Sequence, residues 1–426
     1  MRRTIILTFS LAGLIAALYG WRALTDAPVV QAAIPAADPI ERERLIAVFE
    51  RRVAVPDPEP LNLSVLGRLY LERAKSDKSL GDYTMARDTL LVAAGTLEDS
   101  ATLLNLANSH LALHEFEDAR QIAYRVVAAD SSDGALAILA DVELALGDYE
   151  AALQALERLA RRLPDEPSIL VRRAQYHFLT GDIELAQDLG ERAADVAASA
   201  GLTWQDQSFY SMVAGRMNFE AGDYRTARTY LLRAIEADSR SPGPLFELGR
   251  VRAADGDLLE AIRLLQGAVA LVPDPANLSY LGDLYIANGD KPAGRAQYDT
   301  VEAIEQLDQS AYRLAVAAAL ANNGLHPDSA LELARAELSV RTDPTTWHVY
   351  AVALYQTGAL DQAYAAIQNA LGPADARLWY HAGVIAAATG RQEEAVHHLT
   401  AALKANPGFH PLDAPRARAL LEALTS

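Results

Sequence analysis

The chain returns to the same short turn about every 34 residues. Gly81-Asp82-Tyr83, Gly147-Asp148-Tyr149, Gly181-Asp182, Gly222-Asp223-Tyr224, Gly256-Asp257 and Gly289-Asp290 share one form. Gly324, Gly358 and Gly390 continue the series, and His114-Glu115-Phe116 fills its gap. The ten turns are separated by 33, 33, 34, 41, 34, 33, 35, 34 and 32 residues. A fixed period of this size means a stack of similar supersecondary units, each too small to bury its own apolar face. A single irregular helical core would not keep this phase. A coiled coil would not tolerate such regular Gly and Pro.

Each unit reads as two short helices. Apolar residues at helical spacing precede the turn, as at Leu136, Leu139, Ala140, Val142 and Leu146. The Gly suits a left-handed residue that ends a helix, and the Asp after it can cap the next one. A second amphipathic run follows, such as Ala152, Leu153, Leu156 and Leu159. Pro164, Pro273 and Pro407 close units. Small residues fall seven before the turn (Ala107, Ala140, Ala174, Gly215, Gly249, Gly282, Ala317, Ala351, Gly383) and five after it (Ala86, Ala119, Ala152, Ala186, Ala227, Ala261, Gly294, Ala363, Ala395). Both sets predict close helix–helix approach. Seven extra residues lie between Gly67 and Gly81, and seven more in the 41-residue interval. Seven residues make about two helical turns, so either insertion lengthens helices with little rotation of the buried face. Ser329 disturbs the eighth copy, where Ala330 comes one residue late.

This pattern resembles the tetratricopeptide repeat (TPR) family over about residues 61–410. Its motif stands in Leu248-Gly249 with Gly256, Ala261, Ala268 and Pro273, and in Leu281-Gly282 with Tyr285. Trp347 with Ala351, Gly358, Ala363 and Ala370, and Trp379 with Gly383, Gly390, Ala395, Ala402 and Pro407, are further matches. The resemblance implies an all-α, right-handed superhelical solenoid of about ten TPR helix-turn-helix repeats with a C-terminal capping helix. Residues 411–426, with Ala414, Ala417, Leu420, Leu421 and Leu424, read as that cap over the last apolar face.

About half of the 426 residues are apolar, and the net charge is −18. That charge disfavours nucleic acid as a partner. The absence of cysteine excludes disulfides, catalytic thiols and thiolate metal sites. No phosphate loop, Gly-x-Ser-x-Gly, His-Glu-x-x-His or calcium loop occurs, so the expectation is a protein that is not an enzyme and carries no cofactor.

Residues 1–24 read as a membrane anchor or a signal peptide. Arg2 and Arg3 precede an uncharged run from Thr4 to Gly20, closed by Tyr19, Trp21 and Arg22. The run is long enough to span a bilayer with help from its flanks, and no small-x-small site follows it directly. The paired Arg residues favour a cytoplasmic N-terminus. The repeats would then lie in the periplasm or another extracytoplasmic space, anchored to the inner membrane or secreted after cleavage. Residues 25–60, with six Pro, read as a spacer holding one short charged helix from about Ile40 to Arg52.

In tetratricopeptide arrays the first helices line a concave groove, and the resemblance carries that role to Arg68, Asn108, Asp141, Gln175, Arg216, Arg250 and Asp283. Phe178, Met212, Phe219, Phe246, His348, Tyr355 and Tyr380 lie nearby in phase. Arginines beside aromatic rings suit binding hot spots. Arg216 and Arg250, one repeat apart, suggest an acidic peptide or carboxylate, or else pairing with Asp or Glu across repeats. The Lys and Asn of the carboxylate clamp that binds chaperone tails are not reproduced. The expected function is a non-enzymatic interaction scaffold or assembly factor at the bacterial envelope, holding a peptide or protein in this groove.

The alternative is a metal-linked accessory protein. His381, His397, His398 and His410 cluster near the C-terminus, and imidazoles with carboxylates suit zinc, copper or nickel. The chain also resembles bacterial membrane-anchored repeat proteins. Val301-Glu302-Ala303-Ile304, Leu333-Ala334-Arg335-Ala336-Glu337-Leu338, Tyr380-His381-Ala382-Gly383 and Phe409-His410-Pro411 stand in the same order there. That resemblance implies a neighbourhood of permease-like proteins, some handling nickel or cobalt.

Overall fold

A computed structural model describes residues 39–77, 79–97, 99–129, 131–306 and 312–426. The described residues form 22 helices and no strand. They fall into two units. Residues 39–145 and 149–162 belong to the first, and residues 146–148 and 163–426 to the second.

The first unit opens with α1 (Pro39–Val53), which precedes the repeats. Three helix pairs follow: α2 (Pro60–Asp77) with α3 (Leu80–Ala94), α4 (Ser100–Ala112) with α5 (Phe116–Ala129), and α6 (Asp133–Leu146) with α7 (Tyr149–Arg162). The second unit holds seven more pairs: α8 (Pro167–Leu179) with α9 (Ile183–Ser199), α10 (Trp204–Glu220) with α11 (Tyr224–Ala237), α12 (Pro242–Ala254) with α13 (Leu258–Leu271), α14 (Pro275–Ala287) with α15 (Lys291–Glu305), α16 (Arg313–Asn323) with α17 (Pro327–Leu338), α18 (Pro344–Gln356) with α19 (Leu360–Gln368), and α20 (Ala376–Ala388) with α21 (Gln392–Ala405). A last helix, α22 (Asp413–Thr425), packs Ala414 and Ala417 against Tyr380, Leu399 and Phe409, as a cap over the final repeat. Ten pairs is the number the period predicts.

The turns follow the expected chemistry. Gly181, Gly222, Gly256 and Gly289 have φ between +78° and +90°, where an L-residue is strained. Asp182, Asp223, Asp257 and Asp290 each accept a hydrogen bond from the amide three residues on. His114, which fills the gap in the Gly series, takes the same left-handed conformation at φ +61°. Gly81 departs from the expectation. It lies inside α3, and Ser79 caps that helix by accepting from the Asp82 amide at 3.2 Å. The lengthened α2 runs to Asp77, so the next helix begins before the glycine is reached. The late Ala330 is absorbed within a turn. There Gly324 (φ +64°) is followed by a second left-handed residue, His326 (φ +41°), and Ala330 still reaches a buried position.

Both seven-residue insertions lengthen helices. The first makes α2 18 residues long. The second is shared, since α9 and α10 have 17 residues each while α11 has 14 and α12 has 13. The small positions are real close approaches. A Cβ on Gly67 would lie 2.5 Å from Leu90 Cγ, and one on Gly215 would lie 2.5 Å from Leu231 Cγ.

The helix at 39–53 is more than part of a spacer. Leu45, Ile46, Phe49 and Val53 pack into the apolar cluster of α2 and α3 with Leu66, Leu69, Tyr70 and Tyr83. Arg73 donates to Glu43 at 3.0 Å, and Tyr70 Oη donates to Glu50 at 2.8 Å. α1 therefore covers the exposed end of the first repeat, as α22 covers the last. The anchor or signal segment and the spacer up to residue 38 lie outside the described residues. No helix among the described residues is long and apolar enough to cross a membrane.

Candidate functional site: the concave face of the second unit

Successive first helices of the second unit pack on one another, as α10 does on α12 and α16 on α18. Helices that approach closely lie on the inner side of a curved stack. The candidate groove residues from Gln175 onward sit on this row, and most are bonded within the chain.

At one end Arg216 Nη2 donates to Gln175 Oε1 at 2.6 Å, with its guanidinium 6.0 Å from the Phe178 ring centroid. One repeat on, Arg250 lies 4.2 Å from the Phe219 ring centroid. Arg250 donates through Nη2 to Glu220 at 2.8 Å and through Nη1 to Glu247 at 2.9 Å. Burial works against the Arg250 charge, but the two carboxylates outweigh it and raise its pKa. Burial raises the Glu220 pKa against the pull of Arg250. The expectation that Arg250 receives an external carboxylate is therefore corrected, because two internal ones already hold it. Pairing across repeats is the arrangement found.

Further along, Asp283 is sealed from solvent. Tyr298 Oη donates to its Oδ1 at 2.6 Å, and His410 Nε2 lies 3.0 Å from its Oδ2. On the other side of the imidazole, Nδ1 is 3.1 Å from Asp413 Oδ2. Arg377 Nε donates to that same oxygen at 2.9 Å, and Arg416 Nη1 to Oδ1 at 3.1 Å. Burial raises the Asp413 pKa, but His410, Arg377, His381 and Arg416 together carry it well below the carboxylate range. The Tyr280 ring meets His410 edge-on at 5.2 Å and Phe246 at 5.5 Å. Tyr380 packs on Phe409 at 5.8 Å and on His381 at 5.0 Å.

The segment 405–413 thus crosses the inner face of the earlier repeats. Asn406 Nδ2 donates to the Phe219 carbonyl at 2.7 Å, Tyr224 Oη donates to Asn406 Oδ1, and the Gly408 amide donates to Tyr224 Oη at 2.7 Å. A parallel contact joins the Ala374 amide to the Phe178 carbonyl at 2.9 Å. In both places a repeat's turn meets the loop that follows the repeat five units later.

The remaining candidates are placed as follows. Met212 is buried, while Phe246 and Tyr355 are half-buried. In the first unit Arg68 is 3.9 Å from Glu72, and Asn108 and Asp141 are buried. The four C-terminal histidines are split among three surroundings. His381 Nδ1 pairs with His348 Nε2 at 2.8 Å, His410 lies between two carboxylates, and His397 and His398 flank Trp379. Burial first, then Arg377, holds the His348 pKa down to about 3; burial and the neighbouring His348 put that of His381 well below its ordinary value. Among the described residues no three His, Asp or Glu side chains converge to hold a metal ion. Tyr298, Asn406 and Asp413 are not among the sequence candidates, and Tyr224 is read there only as part of a turn.

The fold and this inner face define a class: an all-α helix-turn-helix repeat scaffold. Tetratricopeptide repeat family models match residues 133–176, 214–276 and 376–409, so the chain carries repeats of that family. A curated relative is cellulose synthase operon protein C of Pseudomonas fluorescens (strain SBW25), 25% identical over 181 residues, 39% of this chain. The match spans 14% of that relative's length. Among solved structures, PilW, a type IV pilus biogenesis factor, is similar at 18% identity and TM-score 0.41, over 48% of this chain and 92% of PilW. The human IFIT1 dimer with PPP-AAAA is similar at 13% identity and TM-score 0.46, over 86% of this chain and 95% of that one.

Proposed function

We propose that this chain is an envelope scaffold, tethered through its N-terminal segment to the inner membrane, that holds a protein partner along its concave face outside the cytoplasm. Repeat arrays of this kind serve in general as protein-interaction scaffolds without enzymatic activity. The paired Arg2 and Arg3 before the uncharged run support the tether and its direction. The observation that carries the binding reading is the surface left open along the inner row. Asp283 and Tyr380 are buried, whereas Arg216, Phe246, Arg250 and Tyr355 keep part of their surface in solvent. Two carboxylates already meet Arg250, so acidity is no longer the favoured property of the partner. Half-buried Phe246 and Tyr355, with the Phe178 ring 6.0 Å from the Arg216 guanidinium, suit a mixed apolar and polar segment.

The test is capture of partners from membranes with tagged full-length protein. The same proteins should come down with wild type and be lost with Arg216→Ala plus Phe246→Ala, while helicity is unchanged. Equal recovery with both would sink the concave-face reading. A reporter fused after Ser426 that behaves as cytoplasmic would sink the location.

A further inference from the structure

The arginines of α1 divide between its faces, Arg42 being buried while Arg44, Arg51 and Arg52 are exposed. Toward α2 lie Ile46, Phe49 and Val53, and the two carboxylates at that edge are occupied, Glu43 by Arg73 and Glu50 by Tyr70. The opposite side carries Ile40, Arg44, Val48 and Arg51, spaced four, four and three residues apart, so they form one stripe along the helix. Ile40 is 63% exposed and Val48 39%, and the Arg44 side chain is 75% exposed. Arg52 stands beside the stripe with its guanidinium 4.8 Å from the Phe49 ring centroid. Glu41, 3.8 Å from Arg44, is the acidic residue there, and an exposed pair of that kind holds little. Exposed Val55 and Leu61 follow just after the helix. A stripe that is apolar and cationic is out of character for a chain of net charge −18.

We propose that this stripe of α1 rests on an anionic lipid surface. Apolar side chains set between arginines are what a helix lying in the headgroup region presents, and juxtamembrane cations are drawn to anionic lipid within a Debye length. Length supports the same occupant, and here the inference leans on the tether proposed above. Thirty-eight residues precede Pro39, and the 18 between Gly20 and Pro39 reach at most about 60 Å when fully extended. α1 is then the first described element after the bilayer. Its cations face the lipid while the acidic remainder of the chain is repelled, which orients the scaffold.

The absence of cysteine makes the test clean, because Val48→Cys gives a single attachment point for an environment-sensitive dye. Labelled full-length protein is incorporated into phosphatidylcholine vesicles with and without phosphatidylglycerol, and quenching by brominated lipid is measured. Quenching at position 48 should appear with phosphatidylglycerol, fall with added salt, and vanish in Arg44→Glu plus Arg51→Glu while the protein still floats with the vesicles. Flotation without quenching would overturn the proposal and leave the tether standing; the stripe would then be a face for a protein partner. Flotation that needs phosphatidylglycerol and both arginines would keep the proposal and sink the tether. Neither flotation nor quenching would remove both.

Discussion

His410 Nε2 lies 3.0 Å from Asp283 Oδ2, across 127 residues of chain, and both side chains are almost wholly buried. Removing the imidazole leaves Asp283 with Tyr298 as its remaining partner and withdraws one of the groups that stabilise ionised Asp413. His410→Ala should destabilise the second unit by about 3 kcal/mol, the usual scale for breaking a buried charged contact. Chemical denaturation measures the loss. Amide exchange should place it at residues 278–286 and 405–416; protection unchanged there would show that the contact holds nothing.

Arg250→Ala is expected to cost about 3 kcal/mol, since Glu220 and Glu247 would lose the cation they share. Arg216→Ala should cost less, about 1.5 kcal/mol, because Arg216 donates to the neutral Gln175 where Arg250 holds two carboxylates. Urea midpoints of the two variants decide this. Equal midpoints would contradict the difference between these contacts.

The second unit should weaken in acid through His348 and His381. Both pKa values are lowered by burial, that of His348 to about 3 from an ordinary 6.5. The unfolded chain therefore binds protons that the folded one refuses, so this contribution is full above pH 6.5 and is lost as pH falls toward 3. Asp274 works the other way. Burial pushes it up to about 7, so its share of stability fades as pH rises from 3.8 through 7. Comparing wild type with His348→Leu isolates the histidine share. The variant should show a smaller loss of denaturation midpoint between pH 6.5 and 4, and identical pH profiles would refute the assignment.

Gly181 and Gly256 provide a matched pair. Both have φ near +90°, so Ala at either adds about 1 kcal/mol of backbone strain. A Cβ at Gly181 would also stand 2.8 Å from the Gly372 carbonyl oxygen, whereas at Gly256 nothing lies within 4 Å. Gly181→Ala should therefore be the more damaging by a clear margin in thermal unfolding. Equal melting temperatures would mean that this contact between distant turns adds nothing.

The repeat itself was legible because it rests on local chemistry. Left-handed glycines, Asp caps and small residues at helix crossings act within a few residues of where they are written. Gly81 misled for the same reason: its neighbours read as a turn, while two further turns of α2 moved the boundary past it. α1 reads as a short charged helix within a spacer, because its charges hide the four apolar residues that it packs against the first repeat. The interior of the second unit was legible only in part. Asp283 and Arg250 stand out by their phase in the repeats, and His410 as one of the C-terminal histidines. Which of them would meet depends on small rotations between successive repeats, which accumulate over several units and leave no mark on the period. Arg250 and Glu220 could be suspected as a pair, but Asn406 and Tyr224 could not.

The contacts of Phe219 and Tyr224 with Asn406 and Gly408 have a consequence for how this chain can change over generations. Open repeat arrays grow and shrink by whole units, since each unit needs only its neighbours. Here five repeats separate one turn from the loop that closes onto it, and a second such bond joins Phe178 to Ala374 at the same interval. Adding or deleting one unit inside this stretch would carry Asn406 a whole repeat away from Tyr224 and leave a buried amide, a hydroxyl and a carbonyl unmatched. Duplication is thus free to act outside the closed stretch, while within it the count of repeats is held fixed by geometry.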